Sequence, residues 1–226
     1  EKTAKNILSG IAYLQEHQGR YLANVAREEA DRLEAFLRAR PEVIRLEVTG
    51  SIRRRRETTK DVDIVASADD VTALGNAFAS SPLVKEVTGH GETKVSVILE
   101  SGMSADLRIV SDEQFPYAVH HFTGSKEHNT QMRGRAKARG LKMNEYGLFK
   151  GDELIACEDE AAIFGELGLA FVEPELREGL DEIERAESGD LPELVTREQL
   201  IGTVHVHTTY SDGRASVEAM ATAAHD

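Results

Sequence analysis

The segment Asp61-Val62-Asp63-Ile64-Val65 alternates charged and apolar residues with a period of two. In an extended strand, successive side chains leave on opposite faces, so Asp61 and Asp63 share one face while Val62 and Ile64 share the other. Two carboxylates pointing the same way from one strand is the pattern that the rest of the chain must accommodate.

Around it the periodicities alternate between helix and strand. Apolar residues recur at helical spacing from Thr3 to Leu14 and from Tyr21 to Leu37, and Pro41 closes the second run. Val43–Val48 reads as a strand running into Thr49-Gly50-Ser51, and Asp70–Ser80 as a helix. Val84–Val87, Val95–Leu99 and Ala105–Val110 are further strands, the last placing Asp106, Arg108 and Val110 on one face. From Pro116 the character shifts to helix and loop, with a basic helix from His128 to Arg139 ended by Gly140 and another helix over Asp159–Leu169. The acidic stretch from Pro174 to Arg197 fits a solvated helix or a linker. A last strand, Ile201–His207, turns at Ser211-Asp212-Gly213 into a new helix. The expected class is α+β: helical lead-in over 1–42, mixed-sheet domain over 43–118, basic helical part over 119–180, acidic linker over 181–200, and an incomplete βα fragment over 201–226.

The formal net charge of −13 argues against nucleic-acid binding until its distribution is read, because Lys and Arg supply most of the affinity for phosphate backbones. Residues 151–200 hold 16 Asp and Glu against 3 Arg, which is −13 by itself, so the other segments sum to zero. Residues 121–150 hold 7 Lys and Arg against 2 Glu, or +5; with Arg53-Arg54-Arg55-Arg56 they can form a local positive surface. Cys157 is the only cysteine, which excludes an internal disulfide and a cysteine-based zinc site and fits a reducing cytoplasm. No apolar run is long enough to cross a membrane. The first residue is not methionine and both ends fall inside helical patterns, so the chain reads as a piece of a longer protein.

Joining a nucleoside triphosphate to a hydroxyl calls for two divalent ions about 3.5–4 Å apart, one on the attacking oxygen and one on the triphosphate. Hard cations prefer oxygen ligands, and an Asp-x-Asp pair on one strand with a third Asp on a neighbour supplies them. Asp61, Asp63 and Asp106 meet that description if their strands are adjacent. Upstream, Gly50-Ser51-Ile52-Arg53-Arg54 offers backbone, hydroxyl and guanidinium groups suited to phosphate, whereas Arg55 and Arg56 read as a solvated turn.

These two elements together resemble the nucleotidyltransferase signature of family X DNA polymerases. Further stretches match in order: Gly91-Glu92-Thr93-Lys94, Asp106 in Ala-Asp-Leu-Arg, Phe122-Thr123-Gly124-Ser125 with Asn129 and Arg133, and Asn144-Glu145-Tyr146. The resemblance covers roughly 1–180 and implies a palm over 43–118 and an α/β thumb over 119–180. It implies that Asp61, Asp63 and Asp106 hold two Mg²⁺ or Mn²⁺ ions, that Gly50, Ser51 and Arg54 take the triphosphate, and that Phe122, Gly124 and Asn129 lie near its sugar and base. Arg133, Lys94 and Tyr146 would meet the DNA. The implied activity is gap-filling addition of deoxynucleoside triphosphates to primer-template DNA, by a monomer in the bacterial cytoplasm associated with the nucleoid. Gly10–Arg20 resembles the region after the family's helix-hairpin-helix elements.

Two residues depart from that pattern. Lys60 stands where glycine often precedes the first aspartate, and His121 where many members have tyrosine, which leaves sugar selection open. At the far end, His205-Val206-His207 followed by Ser211-Asp212-Gly213 is similar to the first motif of PHP phosphoesterase domains, making His205 and His207 candidate ligands of an incomplete metal site; Thr203 departs from the aspartate often found there. The other ligands would lie beyond Asp226, so no nuclease activity is expected. Two alternatives stand beside the polymerase reading: a template-independent, small-molecule or RNA nucleotidyltransferase, and a non-catalytic DNA-binding scaffold with structural carboxylates.

Overall fold

The computed structural model describes residues 19–202 and 204–225, which fall into two compact units divided after Asp190. The helix expected over Thr3–Leu14 lies outside the described residues. The larger unit opens with β1 (Tyr21–Leu22), which pairs antiparallel with β3 (Thr58–Thr59), and α1 (Ala23–Arg38) follows. The expected helical start at Tyr21 is therefore corrected, since the two residues extend and pair across the chain. Along α1, Ala26, Ala30, Leu33 and Leu37 are fully buried, spaced four, three and four residues apart, the interval that keeps side chains on one helical face.

β2 (Val43–Val48) runs into the single turn α2 (Gly50–Arg53), and β4 (Asp61–Ala68) follows β3. Next come α3 (Val71–Ala79), β5 (Val84–His90), β6 (Lys94–Leu99) and β7 (Ser104–Val110). Asp70 caps α3, its Oδ1 accepting from the Ala73 amide at 2.9 Å, which satisfies one of the donors a helix start leaves open. The sheet order is β2-β4-β7-β6-β5, with β4 and β7 parallel and every other pair antiparallel. Val62, Ile64 and Ala66 of β4 and Ala105, Leu107 and Ile109 of β7 face one core with α1 and α3. The intervening residues face the other side, where Val65 and Val110 pack against Ala118 and Val119 of α4 (Phe115–Thr123). That helix covers only one end of the second face, and the strand ends carrying Asp61, Asp63 and Asp106 lie beyond it.

α5 (Lys126–Ala138) begins two residues before the expected start at His128, because Ser125 caps it with a 3.2 Å bond from the His128 amide. The expected loop that follows is instead a three-stranded antiparallel sheet of β8 (Lys142–Asn144), β9 (Gly147–Lys150) and β10 (Glu153–Ile155). α6 (Glu160–Glu166) is capped by Asp159. The acidic stretch departs from the expectation of a solvated helix or linker, since Glu182, Ile183 and Ala186 of α7 (Glu182–Ser188) are buried and the unit extends to Asp190.

In the smaller unit, α8 (Val217–His225) forms, but no strand forms over 204–207. Strands hold only in a ladder, and His205 instead takes a positive φ of 60°, which breaks the alternation that would put His205 and His207 on one face. Their ring centroids nevertheless lie 4.8 Å apart, and His207 Nδ1 bonds to Asp212. Among the described residues, no helix is long and apolar enough to cross a membrane.

Candidate active site

The parallel pairing of β4 with β7 puts Asp63 directly opposite Asp106 and Asp61 opposite Ser104. The three carboxylates thus stand on adjacent strands and on one face. Burial, then the charges of Asp61 and Asp106, push Asp63 up to about 7, against the weaker pull of Lys94 and Arg108. Asp61 is raised as well, by burial and then by Asp106; the charge of the exposed Lys60 partly offsets this. Negative charge is therefore packed here beyond what the local cations neutralise. One ammonium has already moved in: Lys94 Nζ lies 2.7 Å from Asp106 Oδ2. Lys94, expected to meet DNA, is half exposed and rests its ammonium on a predicted metal ligand. Among the described residues, no three His, Cys, Asp or Glu side chains are drawn into a closed metal cluster, His205 and His207 included.

The phosphate-type element is tied to this strand through its backbone. The Thr49 amide donates to the Asp63 carbonyl at 2.7 Å, and Gly50 follows with φ of +65°. A Cβ at Gly50 would lie 2.6 Å from Asp63 Oδ2, so glycine is required both for the left-handed backbone and for the approach of the carboxylate. The Ser51 and Thr59 hydroxyls share a hydrogen bond of 2.6 Å.

The two central arginines divide their work. Arg53 Nη2 reaches Glu160 Oε2 at 2.6 Å, Nη1 reaches the Thr123 hydroxyl at 2.7 Å, and Nε lies 3.2 Å from Glu47 Oε1. Glu160 also receives Nη1 of the fully buried Arg177. Arg54 donates from Nε to Glu178 Oε1 at 2.9 Å and from Nη1 to the Thr123 carbonyl. Arg55 is exposed and paired with Glu175, as a solvated turn would be.

An open cleft of about 620 Å³ collects all the residues expected at the nucleotide. Gly50, Ser51, Arg54, Asp63, His121, Phe122, Gly124, Asn129 and Arg133 line it, together with Ser125, Lys126, Glu127 and Glu178. The buried Asn129 donates from Nδ2 to the His121 carbonyl at 2.7 Å and so pins the turn that presents Phe122 and Gly124. Gly124 has φ of +71°, and a Cβ there would meet Arg54 Nη1 at 3.0 Å. Arg108 stacks over the Phe122 ring at 5.0 Å. Burial pushes the His121 imidazole below its ordinary value, so it presents a neutral ring to the cleft. Tyr146 lies apart, exposed, beside a separate cleft that it shares with Arg108 and Phe122.

Glu160, Arg177 and Glu178 were not marked in the sequence, nor was the pairing of Arg53 with Thr123 and Glu160. Glu160 falls in the helix expected over Asp159–Leu169, but nothing local marked it or Arg177 as buried.

The DNA polymerase beta thumb family matches residues 118–178. A DNA polymerase/3'-5' exonuclease PolX of Bacillus subtilis is 37% identical over 99% of this chain, which spans 40% of that relative's length. A repair DNA polymerase X of African swine fever virus is 29% identical over 57% of this chain and 78% of its own. The ternary gap complex of Leishmania infantum polymerase beta shares the fold with a TM-score of 0.63 at 22% identity, covering 75% of this chain and 74% of that one. Taken with the carboxylate strand pair and the cleft beside it, these likenesses make the chain similar to the family X DNA polymerases, with their thumb over residues 118–178 and a PolX likeness along nearly the whole chain.

Proposed function

We propose that this chain adds a deoxynucleotide to a primer 3′-hydroxyl opposite a template base, with pyrophosphate leaving, in the filling of short gaps. The observation that carries the reading is the register of Asp63 opposite Asp106, with Asp63 pushed up to about 7 by burial and its two neighbours. That excess of negative charge fits divalent cations, and the ammonium of Lys94 on Asp106 marks where positive charge is wanted. Asp61, Asp63 and Asp106 would hold two Mg²⁺ or Mn²⁺ ions, which when bound lower the charge cost of the attacking and leaving oxygens.

The chain's own residues supply position. Ser51, Arg54 and the backbone at Gly50 line the cleft where a triphosphate would lie, and Arg54 suits phosphate because a guanidinium is a permanent planar donor. Phe122, Gly124 and Asn129 form a floor for sugar and base, His121 stands at the sugar edge, and Arg133 at the cleft margin, with Lys94 and Tyr146, faces the duplex. The chain is taken to act as a monomer. The polymerase beta relative was solved as a ternary gap complex; a gapped duplex is the substrate proposed here, placing the chain on chromosomal DNA in a bacterial cytoplasm.

Primer extension on a one-nucleotide gap with Mg²⁺ or Mn²⁺ tests this. Wild type should add one nucleotide, and Asp106→Ala should lose at least a hundredfold in rate while binding the gapped duplex nearly as well. Extension of a primer without template would favour the template-independent alternative, and duplex binding without metal-dependent extension would favour a scaffold.

A further inference from the structure

The cleft proposed for the triphosphate already contains an anion. Glu178 Oε1 accepts from Arg54 Nε at 2.9 Å, and the same oxygen lies 3.7 Å from Arg56 Nη1. Arg54 is largely enclosed, with its side chain 14% exposed, whereas Arg56 at 55% stands in solvent. Glu178 thus sits between an inner arginine that lines the cleft and an outer one that does not. Arg54 has a second contact, from Nη1 to the Thr123 carbonyl, that does not involve Glu178 and can steady the guanidinium when Glu178 leaves.

Charge counting points the same way. The cleft is lined by Asp63, Glu127 and Glu178 against Arg54, Lys126 and Arg133, three of each sign. A polyanionic ligand entering such a lining gains more attraction once one carboxylate withdraws. Glu178 is the one with an alternative cation within reach outside the cleft.

We infer that Glu178 is a built-in stand-in for a nucleotide phosphate, holding Arg54 in the free protein and yielding it to the triphosphate by shifting onto Arg56. This rests on the reading of the cleft as a triphosphate site and adds the residue that sets its affinity. Glu178 is a positioning residue and a competitor; it need not touch the reacting atoms.

The test is equilibrium binding of inorganic tripolyphosphate and of a deoxynucleoside triphosphate, at fixed Mg²⁺ and without DNA, to wild type, Glu178→Gln and Arg56→Ala. Freeing a charge-assisted partner of Arg54 should tighten both ligands roughly 5- to 20-fold in Glu178→Gln. Arg56→Ala, by removing the outer resting place, should weaken them about 2- to 3-fold, and this loss should vanish in the double variant. Glu175→Gln, which removes a carboxylate paired with exposed Arg55 outside the cleft, should change nothing. Melting temperatures within about 2 °C of wild type would show that no variant acts through misfolding. Equal or weaker binding by Glu178→Gln, with wild type binding normally, overturns the stand-in role and leaves the cleft reading intact. If neither ligand binds wild type or Glu178→Gln, the cleft reading fails and the stand-in role fails with it.

Discussion

Two groups of carboxylates lie on either side of the α2 turn, and they are built in opposite ways. At the palm, Asp61, Asp63 and Asp106 crowd one another, and burial raises Asp63 to about 7. In the thumb, burial also pushes Glu160 up, but Arg177 and Arg53 outweigh it and hold the carboxyl below its usual range. The first group is short of cations and the second is fully supplied. The difference separates chemistry from scaffold: an under-neutralised cluster is a site awaiting a ligand, whereas a satisfied one fixes geometry. Arg53 joins them, since the same short helix that carries Ser51 toward the cleft anchors its guanidinium in the thumb network.

The most damaging change should be Glu160→Ala. It leaves Arg177 and Arg53 without their shared partner, at a cost of about 3–5 kcal/mol. For a domain of this size that is on the order of 10 °C in melting temperature, readable by calorimetry; a drop of only a degree or two would mean the network is not structural. Gly50→Ala comes next. Its positive φ costs about 1–2 kcal/mol, and the added methyl pushes on Asp63 Oδ2, so metal-dependent triphosphate affinity should fall more than stability does. Unchanged affinity would show that the approach of Gly50 to Asp63 is incidental. Lys94→Ala should be smallest, within about 1 kcal/mol, because its ion pair with Asp106 is partly in solvent. A large loss of stability there would blur the contrast, by making the palm depend on an internal cation as the thumb does.

How much of this was legible depended on how local the cause was. The strand carrying Asp61 and Asp63 was readable because period two is a property of five consecutive residues, and Asp70 and Asp159 could mark helix starts because a cap acts over three. The palm trio followed from motif order, and the register then put Asp106 opposite Asp63. The thumb strands were missed because three or four residues carry too few periods to register. Glu160 and Arg177 were unreadable for another reason. Their burial depends on each other across 17 residues and on Arg53 across 107, so in sequence each is one more charge on an acidic surface. Ile201–His207 failed in the opposite direction, with a fitting period but no ladder over the described residues 204–207 to hold it.

The under-neutralised palm is best tested by its pH signature. A carboxyl raised in the folded state holds its proton when the unfolded chain has lost it, so its contribution to stability is present at low pH and fades as pH rises toward about 7. Full linkage over that span is roughly 4 kcal/mol, which water at the partly exposed site reduces to about 1–3. The measurement is the difference in unfolding free energy between Asp63→Asn and wild type, without metal and with Mn²⁺, from pH 5 to pH 8. Without metal the two proteins should lie closest at the acid end of the range, and the variant's advantage should grow as pH rises and level off above about 7. With Mn²⁺ that advantage should shrink or reverse, because only wild type recovers stability by binding the ion. A difference that stays flat with pH and is indifferent to Mn²⁺ would contradict the account of Asp61, Asp63 and Asp106 as a site built to receive cations.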